Sequence, residues 1–272
     1  MRGVFLEKLH SKMKVDPNLF FLTADMGINL VEKFEEDFPD RYLNVGIAEQ
    51  NLIGVAAGLA ESGMRPYVYT ISNFLTHRCF EQIRNDIVLH NLPVTLVGTS
   101  TGYDNGPLGP THHMLEDWGV ISNLSGIEIY APFNKSSASE IFDLAYESKK
   151  PTYIRIAKGS GIDVPSKLVK RNAKETLVLS YGSACEYAIN YSTEHGFDYL
   201  IIDQLGTGSF HHLDNYCESY SEILVIEDHF KHSGMYSYTT QWVNERNLSI
   251  HVQSLSPTNY SLMVGRSFSD FT

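Results

Sequence analysis

The chain has 272 residues, 43% of them hydrophobic and 19% charged, and its 21 Lys+Arg against 32 Asp+Glu give a net charge of −11. That length supports two ordinary domains with their own cores, and the lack of any basic run or stripe argues against nucleic acid and anionic membrane as partners. No apolar run approaches the roughly 18 residues of a membrane span, and the opening residues lack the apolar region of a secretory signal. Three widely spaced cysteines, Cys79, Cys185 and Cys217, suit a reducing cytosol and form no metal-ligand cluster.

In chain order, Val4, Phe5, Leu9 and Met13 fall near helical spacing and predict a helix over 4–14. The run Phe20-Phe-Leu-Thr-Ala24 predicts a short strand that delivers Asp25 at its carboxyl end, where open parallel sheets bind ligands. Glu32-Lys-Phe-Glu-Glu-Asp37 reads as a solvated helix face. Arg41-Tyr-Leu-Asn44 is a strand that turns at Gly46 into a helix apolar nearly all round. Ile47, Ala48, Leu52, Ile53, Val55, Ala56, Ala57, Leu59 and Ala60 leave it no polar face, so burial is expected. Gly54, Ala57 and Gly58 would admit a neighbouring backbone, and Gly63 is placed to end the helix. Glu49 sits in its first turn. A buried carboxylate needs a partner: either the dipole and free N–H groups of its own helix, or a ligand.

Further on, 66–71 predicts a strand and 72–90 a helix with Ser72 or Asn73 as its N-cap. Strand 92–98 leads into a glycine-rich loop, Gly98 to Pro110, followed by Thr111-His-His113. Strand 127–130 precedes a helix over 136–148 with Ile141, Leu144 and Ala145 inward, and 151–156 is a further strand. Strands alternating with helices indicate a parallel, doubly wound sheet. Residues 158–172, with two glycines, Pro165 and mixed charge, read as a linker with the boundary near 165. A smaller α/β unit follows, with strands over 176–180, 199–203, 223–227 and 251–255 and helices over 183–194 and 234–247. Its Glu227, Asp228, His229 and His232 fit no standard metal-ligand spacing.

Polar residues at strand ends and helix starts converge on one edge of a doubly wound sheet. Here those are Asp25, Glu49, Phe74 with Phe80, His112 and Arg155, and a glycine-rich loop closes over the same edge, which points to a ligand cleft.

The order and spacing of Asn44-Val-Gly-Ile-Ala-Glu-Gln50, Ala56-Ala-Gly-Leu-Ala60, Ser72-Asn-Phe-Leu75, Gln82-Ile-Arg-Asn-Asp86, Gly109-Pro-Thr-His112 and Glu116-Asp117 resemble transketolase and its relative deoxyxylulose-phosphate synthase. Val225-Ile-Glu-Asp228 and Ser233-Gly234 extend the resemblance more weakly. It implies an α/β fold of two doubly wound domains: a thiamine-diphosphate pyrimidine-binding domain over 1–160 and a smaller transketolase C-terminal domain over 161–272. The family's Gly-Asp-Gly pyrophosphate motif is absent from this sequence. The resemblance therefore implies the C-terminal subunit of a split enzyme. Thiamine diphosphate would be shared with a separate N-terminal pyrophosphate-binding chain that also holds the Mg2+ or Ca2+. No metal ligand is expected here. The expected assembly is an α2β2 heterotetramer in the cytoplasm, acting in carbohydrate metabolism.

By the same resemblance, Glu49 matches the glutamate that hydrogen-bonds the aminopyrimidine ring nitrogen. Phe74 matches the aromatic that stacks on that ring and Phe80 a second pocket aromatic, each of which would also be unremarkable in a core. Ile47 would touch the pyrimidine and Asp25 would lie near the thiazolium side. His112 matches the histidine at the substrate oxygen, where it can donate or shuttle a proton; His113 reads as a loop histidine bonded to backbone. Arg155 matches an arginine that holds a substrate phosphate, with an edge-strand salt bridge as the plain alternative. Asn29, His77 and Leu108 complete the implied substrate side.

Four features depart from the family pattern. Leu108-Gly109 stands where Asp-Gly usually precedes the Pro-Thr-His, Tyr103-Asp-Asn-Gly-Pro107 is an apparent insertion, no histidine stands near Gly98, and His77 stands where the relatives have an aromatic or an arginine. Cofactor residues are kept and substrate residues altered. The expectation is transfer of a two-carbon ketol unit to a sugar acceptor, non-standard in being unphosphorylated or nucleotide-linked. The competing expectations are the beta subunit of a 2-oxoacid dehydrogenase, a deoxyxylulose-phosphate-synthase-type enzyme, and a non-catalytic regulatory paralogue.

Overall fold

Six strands, β1 (Leu19–Thr23), β2 (Tyr42–Asn44), β3 (Arg65–Ile71), β4 (Thr95–Thr99), β5 (Glu128–Tyr130) and β6 (Thr152–Ile156), alternate with helical segments along the first part of the chain. The α-helices among them are α1 (Arg2–Met13), α2 (Glu32–Asp37), α3 (Glu49–Glu61), α4 (Phe80–Gln82), α5 (Asp117–Ile121) and α6 (Lys135–Glu147). The computed structural model describes residues 1–27, 29–159, 164, 167–170, 175–206, 211–214 and 220–260. The strands form one parallel sheet in the order β2-β1-β3-β4-β6-β5. β3, β4 and β6 are buried on both faces, which explains their near-continuous apolar sequences. Phe21, Tyr67, Tyr69, Val97 and Ile154 point to one face and pack with α1 and α6. Leu22, Val68, Leu96 and Tyr153 point to the other and pack with α3.

The second sheet has the order β11-β10-β8-β9-β7. It is built from β7 (Leu168–Val169), β8 (Thr176–Ser180), β9 (Asp198–Ile201), β10 (Glu222–Ile226) and β11 (His251–Leu255), with β7 alone antiparallel. Helices α7 (Cys185–His195), α8 (His211–Asp214) and α9 (Met235–Glu245) accompany it. The expected linker, 158–172, lies partly outside the described residues, as does Cys217. Among the described residues no helix is long and apolar enough to cross a membrane.

Several local expectations are corrected. The helix expected over 72–90 is a π-helical turn (Phe74–Arg78), α4, and a second π-helical stretch (Ile83–Val88). Asn73 stands at the N-cap position of the first turn, as expected, but neither it nor Ser72 makes a side-chain cap bond. The Ser72 hydroxyl is buried against the Tyr153 hydroxyl at 2.5 Å, and the Asn73 amide reaches across to another loop. Helix α3 is not buried all round: Asn51, Gly54 and Gly58 are exposed, and a Cβ at either glycine would meet nothing within 4 Å. Gly63 ends the helix as expected, at φ +89° with its N–H on the Ala60 carbonyl. Leu144, expected inward, is 43% exposed, because the stripe that α6 buries is Ala138, Ile141, Phe142 and Ala145. In α2 the acids are solvated, but Phe34 anchors the helix in the core.

The two sheets share the larger core, joined around Trp118, which stacks on Tyr238 at 4.8 Å and meets Tyr181 edge-on. A buried charge cluster crosses the same joint. From β6, Arg155 donates through Nε to Asp117 Oδ2 at 2.9 Å and through Nη1 to Asp228 Oδ1 at 3.1 Å. Burial works against the Asp117 carboxylate, but Arg155, with help from His229 and Tyr153, still holds its pKa below the ordinary value. Gly102, at φ +56°, lets the glycine-rich loop pass directly over Asp228; a Cβ there would collide with the carboxylate.

Candidate active site

In the first sheet, β2 lies on one side of β1 and β3 on the other. This reversal opens a crevice beyond the carboxyl ends of β1 and β3. Asp25 follows β1 in the left-handed region, at φ +44°, and donates its N–H to Asn44 Oδ1 at 2.9 Å. The same oxygen accepts the Gly46 N–H at 2.9 Å. Asn44 thus clips the end of β1 to the turn that launches α3, and fixes where the first residue of that helix stands.

That residue is Glu49, with a side chain only 3% exposed. Its partner comes from the π-helical turn after β3: Arg78 Nη1 donates to Glu49 Oε2 at 2.5 Å. The Arg78 guanidinium lies over the Phe74 ring, 4.5 Å from its centroid. The His112 ring meets the same phenyl edge-on at 5.2 Å. Glu49, Arg78, Phe74 and His112 therefore form a continuous series of contacts at the crevice, with helix start, π-helical turn and loop each contributing.

Asn73 holds the loop in place. Its amide donates to the Thr111 carbonyl at 2.9 Å and the His113 carbonyl at 3.1 Å, on either side of His112. Its Oδ1 meets Nδ1 of the exposed His77 at 3.1 Å. His112 Nδ1 is engaged by the Thr111 hydroxyl at 2.9 Å, and its Nε2 bonds to none of the described residues. One ring nitrogen is thus fixed and the other is available for proton transfer. His113 is buried against Tyr103, and burial lowers its pKa, which favours the neutral imidazole.

The other sequence-predicted residues lie around this group or away from it. Ile47 is 78% exposed in the turn before Glu49. Asn29 is exposed at φ +65°, its N–H on Glu32 Oε1 at 2.7 Å. Leu108 is 55% exposed on the glycine-rich loop. Phe80 is half-buried against the larger core. Arg155 is placed elsewhere: it is fully buried between Asp117 and Asp228, on a strand interior to the sheet, and offers a substrate phosphate no exposed edge. Sequence reasoning missed Asn44, Asn73 and Arg78. For Arg78 a signal existed, since it follows Phe74 by four positions and such residues share a helical face. Among the described residues no three His, Cys, Asp or Glu side chains converge as a metal-ligand group.

Glu116, just behind the histidine loop, has a pKa pushed up to about 7 by burial, against the opposing bond from the Leu115 N–H at 2.9 Å. An acid whose folded pKa is raised binds its proton more tightly when folded. Its stabilising contribution is complete below the unfolded value of 4.5 and is lost as pH rises through about 7. Urea unfolding of the wild type and Glu116→Gln across that window tests this. Wild-type stability should fall relative to the variant as pH rises; parallel curves contradict the assignment.

The sequence profile described as "Transketolase, pyrimidine binding domain" matches residues 1–161. One of the subunits of an apulose-4-phosphate transketolase from Actinobacillus succinogenes is 36% identical over 157 residues, which is 57% of this chain and 50% of that protein. A 1-deoxy-D-xylulose-5-phosphate synthase from Tropheryma whipplei is 36% identical over 185 residues, 66% of this chain and 28% of that protein. The chain thus spans half the length of the first relative and under a third of the second. Two solved structures share the fold. One, described as a split gene transketolase, inactive beta4 tetramer, superimposes with a TM-score of 0.80 at 24% identity, covering 95% of this chain and 89% of that one. The other, transketolase from Campylobacter jejuni, gives a TM-score of 0.78 at 14% identity, covering 99% of this chain and 43% of that one.

Proposed function

The chain belongs to the transketolase pyrimidine-binding domain family, and from that premise we propose that it is the C-terminal subunit of a split thiamine-diphosphate enzyme of transketolase type. A separate pyrophosphate-binding chain completes the cofactor site in an α2β2 assembly in the cytoplasm. The observation that carries this reading is the buried Glu49 carboxylate beside the Phe74 ring, with His112 at the ring's edge. The family profile ends at 161, and we assign 1–160 to the pyrimidine-binding domain and 161–272 to the C-terminal domain.

The residues present fit the pyrimidine end of the cofactor. Arg78, a planar group with N–H donors, already rests on Phe74 and bonds Glu49, which is the chemistry an aminopyrimidine offers. When bound, thiamine diphosphate supplies an acidic thiazolium carbon that accepts and releases a two-carbon ketol unit. Glu49 holds a proton at the pyrimidine ring nitrogen, in a site dry enough for that bond to matter. Phe74 orients the ring by stacking, Phe80 and Ile47 line its pocket, and Asp25 stands on the thiazolium side. His112 presents Nε2 to the substrate oxygen. The sequence has no Gly-Asp-Gly motif, so the diphosphate and its Mg2+ or Ca2+ fall to the partner chain.

On the substrate side, His77, Asn29 and the apolar Leu108 face outward from exposed positions. Leu108 cannot hydrogen-bond a sugar hydroxyl, which favours an acceptor other than the usual pentose phosphates. Activity on ordinary pentose phosphates equal to that on any other acceptor would refute that part. Calorimetry of thiamine diphosphate with Mg2+ tests the whole reading. Binding is expected to be tight only when this chain is mixed with a pyrophosphate-domain chain. Tight binding by this chain alone would overturn the split-site reading.

A further inference from the structure

We propose that Arg78 is a stand-in for the cofactor ring: its guanidinium fills the aminopyrimidine place, and it withdraws when the ring arrives. This rests on the cofactor reading above and adds to it a residue and an event.

The geometry makes the case in three parts. First, the guanidinium reproduces both contacts assigned to the ring. It is planar, it lies 4.5 Å from the Phe74 centroid, and it donates to Glu49 at 2.5 Å. A ring stacked on that side of Phe74 and bonded to Glu49 would need the same volume, so the two exclude each other. Second, Glu49 is 3% exposed, and a carboxylate that dry is costly if left unpaired. Some donor must serve it before the cofactor binds, and Arg78 does. Third, Arg78 is free to leave. Its side chain is 43% exposed, and among the described residues Glu49 is the only acceptor its guanidinium uses. Its backbone stays anchored, because the Arg78 carbonyl accepts from Gln50 Nε2 at 3.0 Å.

The same side chain therefore keeps Glu49 paired until the ring takes over both contacts.

A competitor that fills a site about nine-tenths of the time weakens apparent affinity about tenfold. Thiamine is the probe, since it carries the ring and needs no diphosphate donors. Ligand-observed NMR on the full chain is expected to give about tenfold tighter thiamine binding for Arg78→Met than for the wild type. Phenylglyoxal labelling of Arg78, read by mass spectrometry, gives a second measure. Labelling should be slow in the wild type, faster in Glu49→Gln, and faster in the wild type when thiamine is added. Weaker thiamine binding by Arg78→Met, or protection of Arg78 by thiamine, overturns the proposal, because Arg78 would then be a contact of the bound ring. No thiamine binding even by Arg78→Met also overturns the proposal, because removing the competitor would then uncover no ring site; the cofactor reading is tested separately, by the calorimetry of the mixed chains.

Discussion

Glu49→Gln, assembled with the proposed pyrophosphate-binding chain, is expected to lower kcat by about two to four orders of magnitude, the range for losing a positioned proton-transfer group. The amide keeps the shape and packing of Glu49 but cannot share a proton with a ring nitrogen as a carboxyl group does. The expected loss is in kcat, with the circular-dichroism spectrum and the thermal midpoint little changed. Glu49 stands at the first turn of α3, where a negative charge also interacts favourably with the helix end, worth about 0.3–1 kcal/mol. If the acid served only there, Glu49→Gln would shift stability slightly and leave turnover intact. Unchanged kcat in the assembled enzyme would therefore reduce Glu49 to a structural acid and remove the centre of the proposed mechanism.

Arg155→Met is expected to be the most destabilising single change at the joint between the sheets, by about 3–5 kcal/mol, the usual cost of stripping one partner from a buried ion pair. Arg155 is fully buried and bonds two acids, Asp117 and Asp228, exposed 0% and 2%. Without it, two buried carboxylates would face each other with no cation between them. Chemical denaturation should show a lower midpoint, and Asp117→Asn in the same background should recover part of the loss by removing one charge. A variant that keeps wild-type stability but raises KM for a phosphorylated acceptor would return Arg155 to the substrate.

The doubly wound first sheet was legible because each buried parallel strand is a short apolar run bounded by turn residues, as in 66–71 and 151–156. Glu49 was legible because an acid opening an apolar helix demands a partner. Which partner it finds was not: the four-residue spacing puts Arg78 on the Phe74 side, but the π-helical turn that brings it to Glu49 leaves no mark in the sequence. Asn73 stands at the N-cap position of that turn without capping it, because Ser72 and Asn73 spend their polar atoms on Tyr153 and on the histidine loop. Arg155 looked like a strand-end ligand because sequence gives its position along β6 but not the arrival of Asp228 from the second sheet. The exposed side of α3 was misread because glycine and alanine count as apolar whether or not anything covers them.

The loop that carries His112 is built from both halves of the molecule. Asn73 pins it from the first sheet, while the Asp228 carboxylate packs directly against Gly102 and the Phe230 N–H donates to the Leu115 carbonyl at 2.9 Å from the second. The family profile ends at 161, but the contacts that hold the histidine loop run past it. A protein cut there would keep every residue proposed for catalysis and lose the wall against which the histidine loop is moulded. Recombining this chain with a relative therefore means exchanging loop and wall together, because the unit of inheritance for the site is larger than the stretch that names the family.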